Sequence, residues 1–420
     1  MGVRLNRSYH SEMTTFEVFD PVVLADPYAE YERLREAPEL AYVPLLDAYA
    51  VSRYADVTAV LREPLLFSSA RGMGDMMSMV GDAPISEDGR EIGGPGSLGR
   101  SLIASDPPLH TIMRRLVNRG FTPRVIGEYE PRVREIAEQC VAELIEKGAD
   151  GGADLVRDLS YPLPVTVIAE MLGIPTDRRD QFKRWSDAAV AAFSLTPDAD
   201  RFRVAAEEMF AFFVEVIEDR NDHPKDDLVS MLVTRGADGE EPLTLDELVG
   251  FCILLLIAGN ETTTNLVGNW TRMLLDRPDV EAALRDDPSK IAASFEETLR
   301  YDGPVHSLFR GVTAPTEVGG TALEAGSRVM VLFAAANRDE AKWGSDAATY
   351  RLDRQPTDHV GFGHGIHLCL GAPLARLEAR VTAEVLLDRT SAFELSGDIV
   401  GTASFLLRGC TSIPLTVKPS

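Results

Sequence analysis

One cysteine-bearing loop constrains the fold of this 420-residue chain more than any other segment. Residues 362–371 read Phe-Gly-His-Gly-Ile-His-Leu-Cys-Leu-Gly, and Pro373 follows at a position typical of the first turn of a helix. The three glycines allow a tight turn and a close approach to a large flat partner. Cys369 is therefore predicted to precede a helix N-terminus, whose free N–H groups favour a thiolate. The loop by itself leaves this sulfur two roles, metal ligand or nucleophile.

The composition argues against a membrane protein and against a nucleic-acid-binding protein. No apolar run approaches the roughly 18 residues of a membrane span, and the N-terminus has no apolar signal core, so we predict a cytoplasmic protein without an anchor. A net charge of −24 disfavours nucleic acid as a partner. Four widely spaced cysteines argue against a disulfide framework. We also expect the protein to be a monomer.

The spacing of apolar residues predicts a single, mainly helical domain, 1–420, with a smaller β-rich region. Short strands are expected approximately at 40–53, 303–335 and 391–418. Residues 70–104 are rich in Gly, Ser and Met without periodicity, which predicts a long functional or mobile loop. Helical spacing extends over 27–38, 54–62, 126–147, 161–172, 179–193, 201–220 and 245–275.

The longest predicted helix, 245–275, begins with a capping box at 244–247 and ends before Pro278. Its centre, 258–264, reads Ala-Gly-Asn-Glu-Thr-Thr-Thr, a group of poor helix formers with a carboxylate in an otherwise apolar helix. One explanation is a kink, with threonine hydroxyls bonded to carbonyls one turn earlier. The other is a proton relay that uses the acid and a hydroxyl.

Glu297 and Arg300 stand at i and i+3 of another predicted helix, on one face. An exposed ion pair is the ordinary explanation of this spacing. A buried pair would be structural, because removal of one partner would cost about 3–5 kcal/mol.

Together these segments resemble a cytochrome P450, a haem-thiolate monooxygenase of the soluble bacterial type. The resemblance implies the family's fold, in which a long central helix lies over a haem and the cysteine loop lies beneath it. It makes Cys369 the axial ligand of the haem iron and excludes a hydrolytic nucleophile. Five motifs in the family's order carry the resemblance: Asp106–His110 with Arg114, Ala258–Thr263, Glu297–Arg300, Asn337–Asp339 and Phe362–Gly371.

The resemblance also implies roles for single residues. Glu261 and Thr262 match the pair that delivers protons during oxygen activation, although many relatives have Asp where this chain has Glu261. Glu297 and Arg300 match the structural pair, and His364 has no assigned role. Four residues match the positions that bind the haem propionates: His110, Arg114, Arg310 and His367. Further positions expected against the haem are Phe362, Gly363, Ala258, Gly365 and Gly371.

The implied reaction uses haem b as cofactor and O2 as co-substrate. Two electrons would come from NAD(P)H through a ferredoxin reductase and a ferredoxin. The basic segment 110–126, with four arginines and no acid, would attract an acidic ferredoxin. The candidate substrate-pocket residues are mostly apolar and favour a lipid, terpenoid or steroid-like molecule: Met76, Phe193, Leu254, Ala258, Val305, Leu308 and Leu406.

Three alternatives remain at this point. A peroxide-driven haem peroxygenase would not need the Glu261–Thr262 relay. A non-catalytic haem-binding protein would keep the cysteine ligand without turnover. A zinc protein would use the cluster His359, His364, His367 and Cys369, although their spacing matches no common structural zinc pattern.

Overall fold

The computed structural model describes residues 14–80, 101–191, 198–234 and 243–420. Helices dominate and strands form a smaller part, so the predicted fold class is confirmed. None of the described helices is long and apolar enough to cross a membrane. The helices are α1 (Pro21–Ala25), α2 (Tyr28–Glu36), α3 (Tyr54–Arg62), α4 (Asp75–Val80), α5 (Leu109–Asn118), α6 (Pro123–Glu128), α7 (Glu130–Gly148), α8 (Pro162–Met171), α9 (Arg179–Ala191), α10 (Ala199–Asp222), α11 (Leu228–Thr234), α12 (Leu245–Asp276), α13 (Pro278–Asp286), α14 (Ile291–Asp302), α15 (Phe333–Ala336), α16 (Glu340–Trp343) and α17 (Ala372–Arg389).

The strands form small sheets at the edge of the helical body. They are β1 (Ala41–Val43), β2 (Ala48–Val51), β3 (Phe67–Ser68), β4 (Ala153–Asp154), β5 (Ser307–Val312), β6 (Thr316–Val318), β7 (Thr321–Leu323), β8 (Arg328–Leu332), β9 (Thr390–Leu395), β10 (Val400–Gly401), β11 (Cys410–Ser412) and β12 (Pro414–Pro419). Most lie in or beside the regions where the sequence predicts them. The short strands β3 and β4 were not predicted, because two residues show no alternation.

The largest sheet has the strand order β1-β2-β8-β5-β3, in which β2 and β8 are parallel and the other neighbours antiparallel. A second sheet has the order β4-β12-β9, and two-stranded pairs join β6 to β7 and β10 to β11. Because side chains alternate along a strand, Leu308 and Arg310 of β5 lie on the same face. Both line the large cavity described below.

Helix α12 forms the centre of the helical body. Its capping box is present, since Thr244 Oγ1 accepts from the N–H of Glu247 at 3.3 Å and the Glu247 carboxylate accepts from the N–H of Thr244 at 2.8 Å. The helix packs against α8, α10, α14 and α17. It continues unbroken through 258–264. The Thr262 hydroxyl donates to the Ala258 carbonyl at 2.7 Å, so the predicted back-bonding is present without a break in the helix.

The prediction of a long unpatterned loop at 70–104 is wrong at both ends. Residues 70–74 form a π-helical turn that leads into α4, and 102–104 form a 3-10 turn. Residues 81–100 lie outside the described ranges. A Cβ atom on Gly72 would lie 2.4 Å from the Cα of Arg310, so only glycine lets this turn pack on β5. Turns this short are too brief to show helical periodicity.

Glu297 and Arg300 form a fully buried ion pair on α14. Arg300 donates to both carboxylate oxygens of Glu297, at 2.8 and 2.7 Å. Glu297 also accepts from the Arg351 amide at 2.9 Å and from Arg354 Nε at 3.2 Å. The remaining guanidinium N–H groups of Arg300 donate to the carbonyls of Asn337, Ala347 and Thr349. Of the two explanations, exposed pair or buried pair, the structure therefore supports the buried one.

We expect Glu297→Ala to lower the free energy of unfolding by about 3–5 kcal/mol, because it leaves the Arg300 guanidinium buried without its counter-ion. Urea unfolding at neutral pH measures this loss. Asp200→Ala removes an exposed carboxylate with the same spacing to Arg203 and serves as the matched control. The control should change stability by less than about 1 kcal/mol. Equal losses in the two variants would contradict a structural role for the buried pair.

Candidate active site

The cysteine loop is shaped by glycines and leads directly into α17. Gly363 and Gly365 both have a φ of 73°. A Cβ on Gly365 would also lie 2.5 Å from the Leu61 carbonyl oxygen, so no other residue fits there. The Cys369 N–H donates to the Phe362 carbonyl at 2.9 Å, which closes the loop. Gly371 is the N-cap residue of α17, so Cys369 lies just before a helix N-terminus as the sequence predicts.

The Cys369 side chain lies in the wall of a large cavity. Burial is the largest influence on the thiol and raises its pKa. The N–H groups of Gly371 and Ala372 and the Arg114 guanidinium act in the opposite direction. The loop thus supplies two backbone N–H groups and a nearby cation that favour the thiolate, against the effect of enclosure. A metal cation bound to the sulfur would stabilise the anion further.

A group of buried cationic and polar side chains lies at one edge of the cavity. Arg310 is 3% exposed, and burial lowers its pKa to about 10. The one hydrogen bond of its guanidinium group among the described residues goes to the Phe309 carbonyl. Burial also lowers the pKa of Arg114, which lines the same cavity. Asp106 is the nearby acid, and it accepts from the Ser69 amide at 2.8 Å. Positive charge therefore exceeds negative charge here.

Two histidines complete this group. The rings of His110 and His367 lie 4.2 Å apart. His367 Nε2 is 3.0 Å from the Ser69 hydroxyl, whereas His110 Nε2 is buried without a partner in the described part of the chain. Burial and the neighbouring Arg310 lower the pKa of His367 to about 2, and burial lowers that of His110, so both rings are neutral. Neutral rings still offer N–H donors.

These observations fit haem b. Its two carboxylates would receive the positive charge of Arg310 and Arg114 and the unpartnered nitrogen of His110. Its iron would take the Cys369 sulfur, and its apolar ring would lie against the aliphatic cavity walls. A bound carboxylate would also relieve the cost of burying these cations.

The Glu261–Thr262 pair on α12 also lines the cavity. Burial raises the pKa of the Glu261 carboxyl, while Lys183 on α9 lowers it and Asp187 raises it. Lys183 Nζ is 2.8 Å from Asp187, and Asn265 donates to Glu261 at 3.4 Å. The acid thus lines the cavity and is near enough to a charged pair on α9 for both charges to affect its pKa. This arrangement can hold a proton near the cavity and exchange it with polar groups behind α12.

Glu378 on α17 is a buried acid that the sequence reasoning missed. It is 1% exposed, lines the cavity, and one of its oxygens has no partner among the described residues. Burial raises its pKa to about 8, and a hydrogen bond with Thr263 of α12 acts in the opposite direction. Glu378 lies four residues after Leu374 on the buried face of the helix. A carboxylate at that apolar position is the signal that could have found it.

Most predicted site residues meet at this one cavity. Its walls include Cys369, Phe362, Gly363, Gly371, Arg114, Arg310, His367, Glu261, Thr262, Leu254, Ala258, Val305, Leu308 and Leu406. His110 reaches it through the His367 ring, and Gly365 shapes the loop from outside. His364 lines the cavity and lies 3.1 Å from Arg62 Nε.

The structure corrects one pocket residue, and another cannot be placed. Met76 is buried in a hydrophobic cluster and does not line the cavity, whereas Met73 and Met77 do. Phe193 lies outside the described residues. Val190 of α9 and Phe202 of α10 line the cavity and were not predicted. Five of the seven predicted pocket residues therefore line the cavity, and their contact with a substrate stays a prediction.

No three His, Cys, Asp or Glu side chains in the described ranges are placed to hold a metal ion together. A site of at least three protein ligands is what zinc normally needs. The arrangement therefore contradicts the zinc hypothesis. It leaves Cys369 as a single protein ligand, which is what a haem iron held by a thiolate requires.

Comparison with known proteins gives the same family as the motifs. Residues 94–398 match the family model of cytochrome P450. A putative cytochrome P450 from Bacillus subtilis, YjiB, is 39% identical over 372 residues, which cover 86% of this chain and 87% of the relative. The vitamin D(3) 25-hydroxylase of Pseudonocardia autotrophica is 36% identical over 409 residues, 96% of each chain.

Solved structures agree over nearly the whole length. CYP109Q5 from Chondromyces apiculatus superposes with a TM-score of 0.85 at 37% identity, covering 97% of this chain and 99% of that one. CYP109E1 from Bacillus megaterium in complex with testosterone gives a TM-score of 0.83 at 34% identity, covering 94% and 98%. The resemblance inferred from the motifs is confirmed.

We expect Glu378→Gln to flatten the pH dependence of stability between pH 5 and 8. The carboxyl holds its proton up to a pKa of about 8 in the folded chain, against 4.5 ordinarily. The folded state therefore binds more protons, and the unaltered protein loses up to about 1.4 kcal/mol of stability per pH unit as pH rises through this range. Urea unfolding across the range measures the slope.

Glu384→Gln, on the same helix, is the matched control. Arg134 and Arg380 lower the pKa of the Glu384 carboxyl, so its removal should leave that slope in place. A slope that survives in Glu378→Gln would contradict the raised pKa of Glu378.

Proposed function

The chain belongs to the cytochrome P450 family, and on that premise we propose that it inserts one atom of O2 into a C–H bond of a lipophilic small molecule. Two electrons and two protons would convert the second oxygen atom to water. The observation that carries the proposal is the Cys369 thiol in the wall of a cavity that is also lined by Glu261, Thr262 and aliphatic side chains. Haem b held by Cys369 would supply the oxygen-activating chemistry.

The residues of the chain would bind, orient and protonate. Arg310, Arg114 and the two histidines would fix the cofactor by its carboxylates. Glu261, whose pKa is raised by burial, would pass protons toward the Thr262 hydroxyl. The apolar walls would exclude water from the reacting C–H bond.

A lipid, terpenoid or steroid-like substrate is supported by the apolar lining of the cavity. Met73, Met77 and Phe202 line it together with Leu254, Val305 and other aliphatic residues. Methionine side chains adapt to irregular apolar shapes. The names of the relatives point the same way, since one is a vitamin D(3) hydroxylase and one structure holds testosterone.

A ferredoxin is the proposed electron donor, reduced by NAD(P)H through a ferredoxin reductase. Support comes from the basic segment 110–126, in which Arg115, Arg119 and Arg124 are exposed. Arg114 of the same segment lines the cavity, and Arg124 is 3.7 Å from Glu128. On a chain of net charge −24, this local excess of positive charge would steer an acidic protein to one face.

A spectral titration of the haem-loaded protein tests the substrate class. Steroids, terpenoids and fatty acids should displace water from the iron and shift the haem absorption, whereas sugars and amino acids of similar size should not. The hits should yield products that carry one atom from labelled O2. A shift with small polar compounds alone would contradict the substrate class. Binding of lipophilic compounds without any labelled product would favour the non-catalytic haem-binding alternative.

Thr262→Ala should lower the product formed per O2 consumed by roughly tenfold or more, with hydrogen peroxide released instead, because the proton-delivering hydroxyl is lost. Product and peroxide are measured with ferredoxin and reductase as the electron source. Thr271→Ala is the matched control, since Thr271 is also bonded back to a carbonyl of α12, at 3.0 Å, but does not line the cavity.

Oxidation driven by added hydrogen peroxide should survive Thr262→Ala, because peroxide brings its own protons. If the unaltered protein oxidised substrate only with peroxide, and Thr262→Ala had no effect on it, the peroxygenase alternative would be correct.

A further inference from the structure

A second cavity, of about 320 Å³, lies beside the active-site cavity. Its lining comes from three parts of the chain: residues within 16–31, residues within 401–409, and Arg272 with His306. This volume is at the small end of the range for small-molecule sites. None of the residues assigned to the haem lines it.

The walls combine an apolar part with a cationic part. Phe16, Val18, Leu24 and Phe405 supply aromatic and aliphatic surface. Arg272 and Arg408 belong to the same lining, and Arg408 Nη1 donates to the Ala25 carbonyl at 2.9 Å. Such a combination suits a molecule that has an apolar body and an anionic head.

The two guanidinium groups share one acid. Arg408 Nε lies 2.7 Å from Asp302, and Arg272 Nη2 also contacts this carboxylate. Among the described residues no other acid lies in contact with either guanidinium, although Asp26 acts on Arg408 from farther away. Arg338 adds a third positive charge to the cluster, with its guanidinium 3.3 Å from the centre of the Tyr28 ring. One carboxylate therefore faces several cations, and the surplus is positive.

His306 adds a polar group whose hydrogen bonding is incomplete. It is 3% exposed, and its Nδ1 is 3.1 Å from the Tyr31 hydroxyl. Its Nε2 has no partner in the described part of the chain. Burial together with Arg408 lowers the His306 pKa to about 3, so the ring is neutral and cannot balance or add charge. Buried polar atoms without partners are uncommon in native proteins.

We propose that this cavity binds a small amphipathic carboxylate, with its head on Arg272 and Arg408 and its apolar body against Phe16, Val18 and Phe405. A guanidinium recognises a carboxylate through two parallel N–H···O bonds, which gives orientation as well as energy. The ligand supplies the second anion that the cluster lacks.

The proposed site borders the active-site cavity through a single turn. Ser404 and Leu407 line both cavities. Phe405 lines only the second cavity (the outer cavity), and Leu406 lines only the active-site cavity (the inner cavity). The Ser404 hydroxyl accepts from the N–H groups of Leu406 and Leu407 at 3.2 and 3.3 Å, which fixes the turn. The occupant of the outer cavity therefore rests against a wall of the inner one.

The test uses the haem-loaded protein with its active site blocked by 4-phenylimidazole, which ligates the iron. Isothermal titration calorimetry then compares 4-phenylbutyrate with its neutral amide, 4-phenylbutanamide. One equivalent of the acid should bind per chain, at least tenfold more tightly than the amide. No binding of the acid, or equal affinity for acid and amide, would overturn the proposal. This outcome is independent of whether the oxidation reaction proposed above is correct.

Two variants locate the site. Arg272→Gln should weaken acid binding at least tenfold and leave the weak amide binding unchanged, whereas Arg203→Gln, at an exposed arginine of α10, should change neither. Leu24→Trp should fill the cavity and abolish binding of both ligands. If Arg272→Gln does not fold, Leu24→Trp and the acid–amide comparison show whether the carboxylate binds in this cavity. Acid affinity that is the same in Arg272→Gln and Arg203→Gln, or retained in Leu24→Trp, would place the carboxylate elsewhere.

Discussion

The buried pair of Glu297 and Arg300 is the constraint on which the active site depends. The two side chains are hydrogen-bonded to each other. They are also bonded to the segment that leads to the cysteine loop, at Asn337 and Arg351. Asn337, whose carbonyl accepts from Arg300, in turn accepts the Val360 amide at 2.8 Å through its side chain. A continuous path of hydrogen bonds thus runs from a helix in the core to residues 362–371. An isolated buried pair adds little stability, but one that holds two segments together fixes their relative position.

The cofactor site has a different energetic character. Arg310 and Arg114 are buried or half-buried at the cavity edge with little compensating negative charge, and His110 keeps an unpartnered nitrogen. These features cost stability in the chain alone and are relieved by a ligand with carboxylates. Binding of such a ligand to the folded chain, and not to the unfolded one, would stabilise the fold by mass action. Correct placement of these charges is therefore tied to the presence of the cofactor.

Short-range sequence patterns predicted the parts of the site that are defined by local geometry. The cysteine loop needs glycines at fixed positions, the capping box of α12 joins residues three apart, and both could be read directly from the chain. The Met-rich segment shows the limit, because Met76 and Met77 have the same chemistry and only the packing of α4 decides which one lines the cavity. Glu378 was missed for another reason. Its environment is created by a helix distant in sequence, and an acid in an amphipathic helix ordinarily indicates solvent.

The turn at residues 404–407 has a thermodynamic consequence for any molecule that occupies either side of it. Because Ser404 and Leu407 line both cavities, a shift of the turn would change the shape of both. The thermodynamic coupling is reciprocal. If a ligand in the outer cavity changes the affinity of the inner cavity for its ligand by some factor, the inner ligand changes the affinity of the outer cavity by the same factor. Phe405 and Leu406 belong to this one turn. The affinity of the active-site cavity for its ligands would then depend on the concentration, in the surrounding solution, of the molecule that occupies the second cavity.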